Sequence, residues 1–572
     1  MRRLSVFLAL AALAACQPVH EVGPRAADAP LRLKLIAFND FHGYLDPPGT
    51  PTRWPDPADP ERVHELPTGG APQLAGLIGQ LRARNPRSTV VAAGDLVGGS
   101  PLLSAVLRHE PSIEALNAMG LEFSSVGNHE FDRGPAELLR LQNGGCHASG
   151  EGTCVDGRFG GARFRYLAAN VRDRVTGASL FPGWARKRFE LGAGRHVDVA
   201  FIGLVLKSTP SLVSGPGMGA LEFGDEAAAA NALVPEIRAQ GIETLVVLIH
   251  EGGRTTAPRF DDADCPGFSG PLLDIVTRLD PAIDVVVSGH THRAYVCRYA
   301  GRLVTSAGNE GRFVTDIDLT VDARSGDVLA SEARQLAVIN DGSNPLPQRY
   351  PPVAPDPRVT ALVEHWRERI APLARRVVGR VERSLTRRAD VNGETALGEV
   401  IADAQLRETR DPARGGARIA FVNNGGLRAD LNARPGGVTY DEVFAVHPFG
   451  NVLVTLTLTG AQIHALLEQQ WQGAGSLLQV SEGFSYTWQA SAPAGRRVDF
   501  ARIRLDGQPL DPAATYRVTL TDFLAGGGDG YTVLRQGTDQ LTGPLDVDLL
   551  ERLLAERSPL APPVGGRVTR LP

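Results

Sequence analysis

The chain has little cysteine: five residues in 572, with no C-x-x-C pair among them. A zinc site built from cysteine thiolates relies on such close pairs and is therefore disfavoured. Long runs of Lys or Arg are also missing, and the formal net charge of -5 is spread over both signs. Proteins that grip the phosphate backbone of a nucleic acid normally carry a basic stripe, so a nucleic-acid polymer is not an expected partner. No internal repeat stands out. The one sustained apolar run, residues 4–15, is shorter than the roughly 20 residues a bilayer-spanning helix needs. What is present is a 43% hydrophobic composition with ample material for cores. The length exceeds one ordinary domain, so two domains are expected.

The N-terminus reads as a targeting segment. Arg2 and Arg3 precede the apolar run, and small residues lead to Cys16. The ending Leu13-Ala14-Ala15-Cys16 resembles a bacterial lipoprotein signal, which implies lipidation of Cys16 and a membrane anchor there; cleavage near Ala15 without lipid is the alternative. Gln17 after the cysteine resembles outer-membrane sorting in Gram-negative bacteria, so the protein is expected to be exported, to the periplasm or cell surface. With Cys16 set aside, Cys146, Cys154, Cys265 and Cys297 make an even number, which in an exported chain suggests two disulfides. Cys146 with Cys154 would close a short Gly-rich loop, and Cys265 with Cys297 would pin the loops beside residues 289–292.

Residues 17–30, rich in Pro and Ala, read as a tether. From there to residue 340, strand-like runs (89–93, 197–202, 245–249, 284–287) alternate with stretches of helical spacing (73–84, 101–118, 226–240), predicting a layered α/β domain. Residues 341–380 supply a Pro-rich connection and a linking helix over 359–378, a candidate hinge. Residues 381–572 form a second domain, helical over 394–407, with strands near 418–422, 451–458, 484–488 and 515–520.

Five short segments each place a metal-binding residue type just after a strand-like run: Asn39-Asp40-Phe41-His42-Gly43, Gly94-Asp95, Gly127-Asn128-His129-Glu130, His250-Glu251 and Gly289-His290-Thr291-His292. Any one alone could be a turn or a capped helix. Together, and each at a strand end, they describe one pocket for two metal ions. A two-metal site acidifies a water, neutralises phosphoryl oxygens and assists the leaving alkoxide. It needs a carboxylate that can bridge, neutral imidazoles and a neutral amide oxygen, and Asp95, the histidines and Asn128 offer these. Of 13 histidines, five fall in these segments; others, such as His64, His109 and His365, read as surface or structural.

In the second domain, Asn423-Asn424-Gly425-Gly426-Leu427-Arg428 joins a Gly-rich turn to a guanidinium suited to phosphate. His447-Pro448-Phe449-Gly450-Asn451 and the run from Asp522 to Tyr531 add aromatic rings and polar groups of the kind that clasp a nucleoside.

These motifs resemble the calcineurin-like metallophosphoesterase superfamily. Asn-Asp-Phe-His-Gly, Gly-Asn-His-Glu-Phe-Asp and Gly-His-Thr-His point further to the 5'-nucleotidase family, and the resemblance covers nearly everything after residue 30. It implies an α/β chain, with a four-layer α/β/β/α metallophosphoesterase domain joined by a helix to a smaller α+β substrate-binding domain. It implies that Asp40, His42, Asp95, Asn128, His250, His290 and His292 hold two divalent metal ions (Zn, Mn, Fe or Co), and that His129 and Asp132 form a catalytic dyad. Phe449 and Phe523 would sandwich a base, Asp529 would bind ribose, and Asn423 and Arg428 would contact the ligand. One departure is Val391-Asn392-Gly393, where the family carries another phosphate-binding Arg; Arg387 and Arg388 lie slightly upstream. The expected activity is removal of the 5'-phosphate from nucleoside monophosphates outside the cytoplasm. UDP-sugar or 2',3'-cyclic nucleotide hydrolysis and non-catalytic nucleotide binding are the alternatives, and no obligate protein partner is evident.

Overall fold

The computed structural model describes residues 29–572 apart from 57, 58, 60, 193, 214, 263 and 473–476. The signal segment with Cys16, and all but the end of the tether, lie outside the described residues. The first domain is built on two six-stranded sheets. In one, the order is Val328–Ala337, Phe313–Val321, Leu31–Phe38, Ser88–Ala93, Leu121–Ser125 and Arg165–Leu167. In the other it is Ala294–Tyr299, Arg302–Ala307, Val285–Ser288, Thr244–His250, Arg195–Val205 and Trp184–Gly192. Leu31–Phe38, Ser88–Ala93 and Leu121–Ser125 run parallel in the first sheet, beside an antiparallel Phe313–Val321, and the inner strands of the second sheet run parallel.

Sequence alternation explains how the sheets stack. Leu33, Leu35, Ala37, Val91 and Ala93 of the first sheet meet Phe201, Val246, Leu248, Val285 and Val287 of the second in one apolar layer. The intervening Ile36, Phe38, Val90 and Ala92 face outward onto helices Ala71–Arg84, Glu110–Met119 and Gly134–Asn143. On the far side, Leu245, Val247 and Ile249 pack beneath Glu226–Ala239 and Leu272–Arg278. Strands buried on both faces are near-continuous apolar runs, and the result is the expected α/β/β/α stack.

Two expectations change. The helical stretch over 101–118 is broken into Leu102–Ala105 and Glu110–Met119, with Arg108 and His109 at φ 50° and 64° between them. Pro111 is responsible: it has no N–H for a helical bond, and its ring excludes the carbonyl of the preceding turn. The linking helix is Pro357–Ala374, capped by the Asp356 carboxylate, which accepts from the Arg358 and Val359 N–H groups. It is not a free rod between domains. Val359, Val363, Trp366 and Ile370 sink into the first-domain core, and the Trp366 indole N–H donates to Glu114 at 3.0 Å. The chain leaves the first domain only after this helix, where Val377–Gly379 pairs with Val438–Thr439.

The second domain centres on a five-stranded sheet ordered Gln479–Val480, Ile419–Val422, Thr515–Thr521, Val452–Thr459 and Thr538–Leu545. Ala420 and Val422 face helices Ala396–Thr409 and Asp546–Glu556. Ile419 and Phe421 face helix Gly460–Gln469 and a four-stranded sheet. Disulfides join Cys146 to Cys154 and Cys265 to Cys297.

Because Trp366 is 4% exposed and anchors the linking helix, Trp366→Ala is expected to destabilise the first domain by about 3–5 kcal/mol. Urea unfolding followed by a first-domain probe checks this; a shift confined to the second domain would contradict the docking described.

Candidate active site

Each candidate segment leaves the carboxyl end of a strand. Leu31–Phe38 leads to Asp40 and His42, Ser88–Ala93 to Asp95, and Leu121–Ser125 to Asn128 and His129. From the other sheet, Thr244–His250 ends on His250, and Val285–Ser288 leads to His290 and His292. Ligand sites of open α/β sheets lie at such ends, and here both sheets open onto the same mouth. Asp40, His42, Asp95, His290 and His292 all have φ between 49° and 69°, a left-handed conformation uncommon for residues with side chains. Tight glycines make room: a Cβ on Gly127 would fall 2.2 Å from Asp95 Oδ1, and one on Gly94 would fall 2.8 Å from His250 Nδ1.

Two groups of donors result. Asp40, His42 and His292 have ligand atoms within 4.8 Å of one another, and so do Asp95, His250 and His290. His42, Asp95 and His129 form a third such group, so His42 of the first group and Asp95 of the second are neighbours and the two groups adjoin. His42 Nε2 lies 3.1 Å from His292 Nε2 and 3.8 Å from Asp95 Oδ2. His250 Nε2 lies 3.0 Å from Asp95 Oδ2 and 3.1 Å from Asn128 Oδ1. The Nδ1 atoms of His42 and His250 face the carbonyls of Gly98 and Ala93 at 2.8 and 2.7 Å, which leaves each Nε2 for a ligand.

Asp40 and Asp95 are 0% and 1% exposed. Burial alone would raise their pKa values, but the surrounding histidines outweigh it and hold both below the ordinary carboxylate range. Burial pushes His42 down to about 3 and His290 to about 4, so both are neutral donors. His250 is the exception. Burial opposes its charge, yet Asp95 lifts it to about 10; a divalent cation at its Nε2 would take the place of the proton there. Ionised carboxylates, neutral imidazoles and an amide oxygen in one buried cluster suit divalent cations of borderline softness. The donor set fits.

Beside this cluster, His129 Nδ1 lies 3.0 Å from both oxygens of Asp132, and the His129 N–H donates to Asp95 Oδ1 at 2.8 Å. Burial disfavours the charged imidazole, but Asp132 and Asp95 outweigh it and raise the His129 pKa. One cleft is lined by His129, Asp132 and His290 from the first domain and by Asn423, Arg428, Phe449, Phe523 and Asp529 from the second. Asn423 Nδ2 donates to Asp529 Oδ2 at 2.7 Å. The Phe449 ring stacks on His129 with centroids 5.5 Å apart and planes 14° from parallel, and the Arg428 guanidinium lies 5.6 Å from the Phe449 centroid. Phe523 covers Gly528, where a Cβ would come within 2.5 Å of its ring.

Sequence reasoning missed several residues. Asn39 Nδ2 donates to Asp40 Oδ2 at 2.6 Å and to the Gly308 carbonyl at 2.7 Å. Glu130 accepts the N–H groups of Asp95, Leu96 and Gly127 at 2.9, 2.6 and 2.6 Å. Both stood inside the quoted segments, and a polar type flanked by ligand types was the available signal. Leu212 and Val213, which also line the cleft, follow no motif. Arg387 and Arg388 do not line it. Arg387 instead donates Nη1 to the Leu427 carbonyl at 3.0 Å and its backbone N–H to Asp430 at 2.8 Å, bracing the turn that carries Arg428.

Two stacked sheets whose strand ends pool Asp, His and Asn around a central carboxylate define a metallophosphoesterase. Residues 33–294 match the calcineurin-like phosphoesterase family, and residues 377–536 match the 5'-nucleotidase C-terminal domain. The chain belongs to the 5'-nucleotidase family, which combines these two domains. It is 28% identical over 549 residues to endonuclease YhcR of Bacillus subtilis, covering 94% of this chain and 41% of that protein. It is 29% identical over 546 residues to the cell wall protein Lmo0130 of Listeria monocytogenes, covering 90% of this chain and 65% of that protein. The chain thus spans less than two thirds of either relative's length. The crystal structure of a 5'-nucleotidase precursor from Thermus thermophilus superposes with a TM-score of 0.71 at 28% identity, covering 95% of this chain and 99% of the other.

Since Asn39 holds a carboxylate oxygen of Asp40, Asn39→Ala is expected to weaken divalent-metal binding by about 10–100-fold. Competition against a chromogenic chelator reads this directly, and unchanged affinity would remove Asn39 from the support of the site.

Proposed function

We propose that this protein is an exported dimetal hydrolase that removes the 5'-phosphate from nucleoside monophosphates, releasing nucleoside and phosphate. The carrying observation is the single cleft in which the metal-type donors and the His129–Asp132 pair meet Asn423, Arg428, Phe449, Phe523 and Asp529 of the second domain. Asp40, His42 and His292 would hold one divalent ion, and Asn128, His250 and His290 a second, with Asp95 between them. When bound, such a pair supplies acidification of a water and neutralisation of phosphoryl charge.

The chain's own residues do the rest. With Nδ1 committed to Asp132, His129 has Nε2 free to meet a phosphoryl or leaving oxygen, and its raised pKa suits stabilising charge or donating a proton there. Arg428 lines the same cleft as His129 and His290, which suits its guanidinium to a phosphate held there. Phe449 and Phe523 offer π faces for a base, and Asp529 with Asn423 offers hydrogen-bonding groups for ribose. The segment ending in Cys16 supports export and a lipid anchor, and a relative named as a cell wall protein agrees with a location outside the cytoplasm.

The deciding assay is phosphate release by chelator-stripped protein re-metallated with manganese or zinc. The substrates are AMP, a UDP-sugar, 2',3'-cyclic AMP, an aryl phosphate and, because one relative is named an endonuclease, an oligonucleotide. AMP is expected to be the preferred substrate and stripping to abolish release. His129→Ala is expected to lower kcat by about 10²–10⁴-fold. Turnover of the other substrates but not AMP would overturn the substrate assignment, and silence on all of them with metal bound would favour a binding role.

A further inference from the structure

Beneath the turn that carries Phe449 lies a buried polar pair the activity above does not use. His447 and Asp546 are 3% and 2% exposed, and His447 Nδ1 stands 3.5 Å from Asp546 Oδ2. His447 Nε2 and Asp546 Oδ2 have no hydrogen-bond partner, so the structure carries a desolvation cost at this point. Burial lowers His447 to about 4 and raises Asp546 to about 8, so both side chains are held neutral where they pack against each other.

The surroundings show what the pair controls. The Val446 carbonyl, at one end of the turn, accepts the Arg428 N–H at 3.0 Å. The Asn451 carbonyl, at the other end, accepts the Asp546 N–H at 2.9 Å. Asp546 is also the first residue of helix Asp546–Glu556, and its Oδ1 accepts the Val547 N–H at 2.8 Å. The turn is therefore fixed to the helix end below it, while above it Phe449 and Asn451 line the cleft. The fit is tight: a Cβ on Gly99 of the first domain would come 2.9 Å from Phe449 Cε1.

We infer that His447 and Asp546 are positioning residues that set the 447–451 turn, and with it Phe449 and Asn451, for recognition of the nucleoside part of the substrate. Neither touches the metal-type cluster. Arg428 is braced from its other side by Arg387, which donates to the Leu427 carbonyl, so loss of His447 or Asp546 acts on affinity for base-bearing esters and leaves phosphoryl transfer itself intact. This inference rests on the nucleotide reading above, and the test separates the two.

The experiment compares KM and kcat for AMP and for an aryl phosphate, which has the ester but no base or ribose. The proteins are the metal-loaded wild type and the variants His447→Leu, His447→Phe, Asp546→Leu, Asp546→Asn and the double Leu variant. Either Leu substitution is expected to raise KM for AMP about five- to tenfold, with kcat and both aryl phosphate constants changed by less than about twofold. Asp546→Asn, which keeps a neutral polar side chain of the same shape beside His447, is expected to stay close to wild type, and the double variant to be no worse than the worse single. His447→Phe fills the site without an acceptor and serves if His447→Leu does not fold; it is expected to show the same split. Equal losses on both esters, unchanged KM for AMP, or additive single effects would overturn the inference. A wild type that shows no preference for AMP over the aryl ester overturns the substrate reading, and this inference with it, before any variant is compared.

Discussion

Two carboxylates, Asp40 and Asp95, sit fully buried within one cluster of histidines, and the first domain is organised around making that tolerable. Buried negative charge is costly unless opposed by positive charge and oriented hydrogen bonds. Here Asn39 and the His290 N–H grip Asp40, and the His129 N–H and His250 hold Asp95. Glu130, through the backbone of residues 95 and 96, fixes where the Asp95 turn runs. The left-handed turns and the crowded glycines follow from the same demand, since five loops must bring side chains to one point without their backbones colliding. Strain of this kind persists only where a rigid surround enforces it, and two sheets packed face to face supply that rigidity.

The twin-sheet architecture also explains why neither sheet could carry the site alone. One sheet contributes Asp40, His42, Asp95, Asn128 and His129; the other contributes His250, His290 and His292. The apolar layer of Leu33, Leu35, Val91, Phe201, Val246 and Leu248 sets the spacing of the sheets, and each of the two donor groups draws residues from both sheets. Packing that looks purely structural thereby fixes how far His292 stands from Asp40 and His42, and how far His250 and His290 stand from Asp95.

Much of this was legible in the sequence because it is local. Residues 245–249 form an apolar run followed at once by a histidine, and residues 31–38 form an alternating strand followed by Asn-Asp-Phe-His. Both patterns encode a strand and its terminal chemistry within a few positions. What was not legible depends on contacts between distant segments or on a single local conflict. The stretch 101–118 has helical spacing throughout, but Pro111 divides it. The linking helix has an amphipathic pattern that cannot say which domain its stripe meets, and Trp366 chose the first. Asn39 and Glu130 are ordinary polar residues until the fold shows which backbone groups they hold. The approach of His447 to Asp546 joins residues far apart in the sequence of the second domain and has no sequence signature.

The contact between domains constrains how a nucleotide could be used. His129 and Arg428 both lie against the ring of Phe449, so a group from each domain already occupies the aromatic surface on which a base would stack. A base that stacks where either group lies must displace it. Arg428 is tied to the same turn through the Val446 carbonyl and moves with it, whereas His129 is fixed to Asp132 and Asp95 in the first domain. A separation between the domains would carry the turn and Arg428 away from His129 together. The docked helix Pro357–Ala374 belongs to the first domain's core, and residues 375 and 376 join it directly to the Val377–Gly379 strand, so that short connection is where such a displacement would be absorbed. On the proposed activity, a substrate bridging the metal-type cluster and the second domain would take the place of the Phe449–His129 stack, exchanging a contact between the domains for one that runs through the ligand.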